Sequence, residues 1–370
     1  MKNKALIFTA ILFSLFLFIG WGASGHKIIN RKSVQSFPST MNYFLFWSDS
    51  LAFHASDADT RKSTDPTEQY RHYIDIDAYP EFIANHRIPQ TLDSLIALHG
   101  LTFVTTSGTV PFAIIAYTDS VKNYFLQHNW QKAMLRAADV GHYVADSHQP
   151  LHITQWYDGW SNYSDGIHSR YETGMINRDS AYIIYTGDSA SYISNINQFA
   201  FDIVYNNYKY VDSVYRCDSI AHTIAGNTNS TLYYQEFWNR AGTFTTQLFK
   251  NASKSIAALI YTAWVNAGSP LPTTGIIPVA GNVTNYKLHQ NYPNPFNPST
   301  KIKFDIPSAS NVKLTLYDIT GKQVASLVND RFSPGSYEYE FNAGNLPSGT
   351  YIYKLQTDGY SESKKMLLIK

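Results

Sequence analysis

Cysteine is nearly absent: the 370 residues contain only Cys217, which excludes an intramolecular disulfide. Charge is scarce too. The 29 basic and 28 acidic residues leave a formal net charge of +1, so the chain as a whole offers no electrostatic footprint for long duplex nucleic acid, although a local basic groove is compatible with it. Low charge together with 44% hydrophobic residues places the chain among globular rather than disordered proteins, and its length accommodates two or three domains. Aromatic residues are plentiful instead, with 28 tyrosines, which points first to strands and packed cores and second to a ligand-stacking surface.

Long apolar runs are also missing, apart from one. Lys2 and Lys4 precede sixteen mostly apolar residues from Ala5 to Gly20, fewer than the roughly 20 that span a bilayer comfortably. Residues 1–20 therefore read as a signal peptide, with an uncleaved membrane anchor as the alternative. Cleavage after Gly20 would make Trp21 the mature N-terminus, although Phe18 is large for the third position before a cut.

From Trp21 to about Gly268 the pattern is mostly helical; Ile256, Leu259, Ile260, Ala263 and Trp264 recur at the spacing of one helix face. Gly268, Pro270 and Pro272 stop that helix, and residues 269–286, rich in Gly, Pro and Thr, read as a linker. Beyond it, Lys301 to Ile306 and Val312 to Leu316 alternate polar with apolar residues, the signature of strands with one buried face. Turn residues such as Asp318, Gly321, Asn342 and Gly344 separate these strands, so residues 287–370 form a small antiparallel β-sandwich. Its motifs are specific: Asn291 to Thr300 (Asn-Tyr-Pro-Asn-Pro-Phe-Asn-Pro-Ser-Thr), Gly321-Lys322, Leu346 to Tyr351 and the basic end Lys364 to Lys370. They resemble the type A sorting domain of the type IX secretion system. That resemblance implies a second export step across an outer membrane, a partnership with the secretion machinery, and a secreted or cell-surface location. An adhesive or carbohydrate-binding sandwich is the alternative.

Chemistry belongs in the helical region, where five of the twelve histidines sit at spacings that suit a metal. In the run from His142 to His152, His142 and Asp146 are four apart and differ in direction by about 40° on a helix, so they project side by side. Pro150 ends that helix and turns His152 back toward them, whereas His148, about 240° round from His142, points elsewhere. His168 and Glu172 repeat the four-residue spacing sixteen residues beyond His152. His72 is followed by Asp75 and Asp77 and preceded by Asp57 and Asp59, while His26 closes Trp21-Gly22-Ala23-Ser24-Gly25-His26. Imidazoles and carboxylates without thiolates suit zinc, with manganese or iron as lesser choices, and Asp75, Asp77 and Asp139 are candidates to orient the imidazoles.

The ordered set Trp-Gly-x-x-Gly-His, Asp, His-x-x-Asp, His-x3-Asp-x5-His and His-x3-Glu resembles the zinc-dependent phospholipase C and S1/P1 single-strand nuclease superfamily over most of residues 21–268. The resemblance implies an all-α helical bundle holding three zinc ions. Asp59, His72, His142 and Asp146 would hold one; Trp21, through its free amine and carbonyl, and His26 would hold its neighbour, with Asp146 bridging. His152, His168 and Glu172 would hold the third, and Asp59 and Asp146 would act in catalysis. The implied activity is phosphoester hydrolysis by a metal-activated water. Asp57 competes with Asp59 for one role; spacing to His72 and the basic stretch after it favour Asp59. Glu172 matches the phospholipase C form, whereas His72-Tyr73-Ile74-Asp75 looks more like the nuclease form. Phospholipid is the favoured substrate, single-stranded nucleic acid or a nucleotide the alternative, and a non-catalytic, metal-stabilised surface protein stands as a reading from another class.

Overall fold

A computed structural model describes residues 21–159, 165–185, 187–270, 276–279, 283–332 and 334–370. The expected signal peptide lies outside these residues. The helical region runs through α1 (Gly22–Ser33), α2 (Trp47–Phe53), α3 (Asp57–Arg61), α4 (Pro80–Asn85), α5 (Leu92–His99), α6 (Leu101–Thr106), α7 (Val110–Leu126) and α8 (Trp130–Ser147). It continues through α9 (Ile167–Ser169), α10 (Ile176–Asp179), α11 (Ile196–Tyr208), α12 (Tyr210–Ala225) and α13 (Thr231–Asn266). Among the described residues, no helix is long and apolar enough to cross a membrane.

The hub is α8. Asn129 starts it by accepting the Lys132 main-chain N–H at 3.1 Å, satisfying one of the amides that a helix start leaves free. From Ala137 to Ser147 every residue is buried, because α1, α2, α7, α11 and α13 all pack around it. Small residues permit this close approach. A Cβ at Gly141 would meet the Asn30 side-chain oxygen at 1.9 Å, so the crossing of α1 over α8 requires glycine there. On α1, buried His26, Ile29, Asn30 and Ser33 follow helix spacing and form the face that meets α8. Helix α13, with Ser230 as its cap, runs 36 residues, roughly 54 Å, along the bundle and buries Ile256, Leu259, Ile260, Ala263 and Trp264 as their periodicity predicts.

The C-terminal region holds two antiparallel four-stranded sheets built from β1 (Ile276–Val279), β2 (Lys287–Leu288), β3 (Ser299–Ile306), β4 (Ser310–Asp318), β5 (Gln323–Phe332), β6 (Gly335–Asn342), β7 (Gly349–Gln356) and β8 (Ser361–Leu368). Their orders are β1-β6-β3-β2 and β5-β4-β7-β8. Ile302, Phe304 and Ile306 from one sheet and Val312, Leu314 and Leu316 from the other are buried in one core, as their alternation requires. The Asn291 side chain is a brace: its amide donates to the Pro293 carbonyl and to Thr300 Oγ1, both at 3.0 Å.

One expectation needs correction. The stretch read as a linker contains β1, which pairs with β6 from Ile276 opposite Tyr339 to Val279 opposite Ser336. Its main chain extends a sheet edge, a gain that only the position of β6 makes available. The two regions also touch: Phe332 of β5 stacks on Phe46 with centroids 6.0 Å apart, and Ser50 of α2 donates to the Arg331 carbonyl at 3.0 Å.

Candidate metal centre

Three groups of donor atoms converge inside the helical bundle: His26, His142 and Asp146; Asp59, His72 and His142; and His152, His168 and Glu172. The first two share His142 and lie against Asp146, so they form one paired centre. His72 Nδ1 stands 2.9 Å from His142 Nε2 and 3.0 Å from Asp146 Oδ2, while Asp59 Oδ1 is 3.7 Å from both imidazole nitrogens. His26 Nε2 approaches the other Asp146 oxygen, Oδ1, at 3.3 Å without the alignment of a hydrogen bond. The third group is equally tight: His152 Nε2 to His168 Nε2 is 3.2 Å, and the Glu172 carboxylate lies 3.0 Å from His168 and 3.5 Å from His152.

Four ligands around zinc, at metal–nitrogen distances near 2.0–2.1 Å, stand about 3.3–3.4 Å apart in a tetrahedron. The observed separations bracket that value. Buried polar atoms normally find partners, yet Asp59 Oδ2, Asp146 Oδ1 and both His26 nitrogens make no hydrogen bond. Donor chemistry, spacing and these orphaned atoms together fit metal ions.

Local structure explains the convergence. His142 and Asp146 share a face of α8; the single turn Pro150–His152 then brings His152 back, where its Nδ1 meets the His72 main-chain carbonyl at 2.9 Å. His168 and Glu172 sit on one continuous helical segment whose middle, Arg170–Met175, widens to a π-helix. Arg170 ties that segment to Asp218 of α12 at 2.9 Å. Asp59 is carried by α3 and His72 closes the turn Glu68–Arg71. Trp21 packs edge-on against Phe249, 4.7 Å between centroids, and the carbon a side chain would add at Gly22 would lie 3.6 Å from the Glu172 carbonyl. The start of α1 thus abuts the third group as well as carrying His26.

Electrostatics follow from burial and proximity. Burial raises the Asp146 carboxyl, but His142 and His152 outweigh it and hold it well below the usual range. Asp59 and Glu172 are lowered in the same manner, the burial penalty being exceeded by His142 and Lys62 for the first and by His152 and His168 for the second. Burial depresses His26, aided by His142; for His142 itself, Asp146 and Asp59 overcome burial and raise it to about 9.

Neighbours sort the remaining candidates. Asp57 pairs with His54 at 2.7 Å and is half exposed, away from the cluster that contains Asp59. His148 turns its Nδ1 to the Val144 carbonyl at 2.8 Å. Two of the three expected imidazole orienters are engaged elsewhere: Asp139 binds Arg61 and Arg136, and Asp77 accepts from Thr154 and Gln155. Main-chain carbonyls take that task instead, Ala55 for His142 at 2.7 Å and His72 for His152. A helix-periodic reading cannot foresee this, because the carbonyls come from irregular segments. Sequence reasoning also missed Lys62, whose Nζ stands 2.7 Å from Asp59 Oδ1, and Glu68, wholly buried beside His72. The Glu68–His72 spacing of four residues was the available signal.

Comparison with known proteins identifies the C-terminal region. Residues 290–370 match the family model described as the secretion system C-terminal sorting domain, so the sandwich is such a domain and marks the chain for export. No curated protein matches the chain by sequence. Among solved structures, alpha-toxin of Clostridium perfringens from avian strain SWCP is 12% identical, with 95% of this chain and 98% of that chain covered at a TM-score of 0.46. Alpha-toxin from Clostridium absonum is 11% identical, with 95% and 97% covered at 0.43.

Proposed function

We propose that residues 21–268 are a zinc-dependent phosphoester hydrolase, exported under the direction of the sorting domain. The observation that carries this reading is the convergence of three His and carboxylate groups, with Asp146 offering one oxygen to each half of the paired centre. Zinc bound there would supply a water acidic enough to ionise near neutral pH and positive charge for phosphoryl oxygens. His26, Asp59, His72, His142 and Asp146 would hold the pair, joined by the Trp21 main chain once the preceding residues are removed, and His152, His168 and Glu172 the third ion. Asp59 would take a proton from the attacking water, a role supported by its Oδ2 being buried without a hydrogen-bond partner. Lys62, with its ammonium already among these donors, is placed to steady an anionic oxygen of the substrate.

For the substrate we favour phospholipid, on the phospholipase C-like form of the segment ending in Glu172 and on the exposed rim residues Trp156 and Tyr157 beside the third group. One observation favours the nuclease reading. Tyr157 stands edge-on to His168, with centroids 5.8 Å apart, so an aromatic ring on which an unpaired base could stack lies beside the third group.

The test is hydrolysis of phosphatidylcholine and single-stranded DNA side by side, with the zinc-loaded protein and a chelated control. Chelator-sensitive release of phosphocholine with intact DNA supports the lipid reading, and the converse supports the nuclease. Turnover of neither, by protein that retains zinc, makes the chain a metal-stabilised binding protein.

A further inference from the structure

The donors of the paired centre come from four separate segments: His26 from α1, Asp59 from α3, His72 from the turn after Glu68, and His142 and Asp146 from α8. Behind them lies a second set of charges that none of these donors belongs to. Glu68, with no exposed surface, accepts from Arg71 Nη1 at 2.6 Å and from the Tyr143 hydroxyl, and lies 3.4 Å from Arg61 Nη2. Arg61 also donates to the Tyr143 hydroxyl at 3.2 Å and pairs with Asp139 at 2.8 Å; Asp139 in turn binds Arg136. Arg61 is two residues from Asp59, Glu68 is four from His72, and Asp139 and Tyr143 flank His142. Every donor segment except α1 therefore contributes a member to one ionic web around the buried Glu68.

The orientation of His72 gives the web a purpose. Its Nδ1 faces Asp146, Asp59 and His142, while Nε2 has no hydrogen-bond partner and faces Glu68 Oε1 at 3.5 Å. An imidazole that gives one nitrogen to a metal is held best when the other donates to a carboxylate, which fixes both tautomer and ring angle. We propose that Glu68 is a positioning residue for the paired centre: anchored by Arg61, Arg71 and Tyr143, it holds the His72 ring with Nδ1 turned inward and locks α3, the 68–72 turn and α8 at the separations the ions need. This role rests on the metal-dependent reading above.

The web does not touch His152, His168 or Glu172 through Glu68, so the third group is an internal reference. Mature protein beginning at Trp21 and keeping its sorting domain is loaded with zinc, equilibrated against buffers of graded free zinc, and its bound metal counted; a cobalt-loaded sample reports ligand geometry by its visible spectrum. Glu68→Gln, which keeps the shape and removes the charge, is expected to weaken one or both ions of the pair by roughly 10–100-fold, leave the third ion unchanged and shift the cobalt bands. Tyr143→Phe, which removes one of the hydrogen bonds anchoring Glu68 Oε1, is expected to act in the same direction to a smaller extent. It also serves if Glu68→Gln fails to fold. Asp65→Asn, at an exposed partner of Arg71, is expected to bind all three ions as the wild type does. Wild-type affinity and spectrum in both Glu68→Gln and Tyr143→Phe, or equal weakening of all three ions, overturns the positioning role. Failure of the wild type itself to bind zinc overturns the hydrolase reading instead, so the two failures are distinct.

Discussion

The imidazoles of His26 and His142 lie face to face, 4.0 Å between centroids and 8° from parallel, although the residues belong to different helices. Both rings reach one carboxylate, His26 at Asp146 Oδ1 (3.3 Å) and His142 at Oδ2 (3.2 Å), which makes Asp146 the common element of the centre. Its two oxygens face different partners, His26 on one side and His72 and His142 on the other.

Asp146→Asn should therefore remove both ions of the pair, whereas His168→Ala should remove only the third. Metal-to-protein ratios measured after gel filtration are expected near one and two, against three in the wild type, with hydrolysis falling at least about 1,000-fold for Asp146→Asn. Asp57→Asn is the companion test. It should retain full metal content, and loss of an ion from it would return the role assigned to Asp59 to Asp57.

Gly141 reports the helix crossing that brings His26 to His142. Alanine there would push against Asn30, whose amide is committed to the His26 carbonyl at 3.0 Å. Gly141→Ala is expected to destabilise the domain by about 1–3 kcal/mol despite alanine's better helix propensity. Chemical denaturation of the metal-free protein measures this directly; an unchanged midpoint would mean that α1 is free to shift.

Asp75 makes the stability of the fold depend on pH. Burial, helped by Asp77, raises its carboxyl to about 7. Between about pH 4 and 7 the folded chain keeps a proton that the unfolded chain releases, so this group's contribution to stability declines as pH rises through that window. Asp75→Asn removes the ionisation. Its unfolding free energy relative to wild type should climb from pH 5 to pH 8 and level off above, by an amount of order 1–2 kcal/mol once partial solvent access is discounted, as chemical denaturation at each pH would measure. A difference that stays flat across that range would refute the assignment.

The sorting domain should be separable from chemistry. A chain ending at Gly268, before β1, is expected to stay in the cell while keeping the specific activity of the full-length protein, as fractionation and assay of the purified fragment would show. A cut placed after β1 is a poorer choice, because it leaves a strand without β6 and an edge open to association. Loss of activity in the shorter fragment would show that the contact of Phe332 with Phe46 supports α2 and, through it, the segment leading to Asp59.

Periodicity and spacing made much of this molecule legible. The α13 face, the alternating strands β3 and β4, and the pairs His142 with Asp146 and His168 with Glu172 depend on contacts within a few residues, and local geometry dictates those. Which of Asp57 and Asp59 turns inward, which carbonyls steady the imidazoles, and that a presumed linker supplies β1 all depend on partners far along the chain. Glu68 shows the distinction most clearly. Its spacing from His72 is written in the sequence, but its burial among Arg61, Arg71 and Tyr143 exists only once α3, the 68–72 turn and α8 have packed, because a carboxylate is stable out of water only where distant cations and hydroxyls close around it.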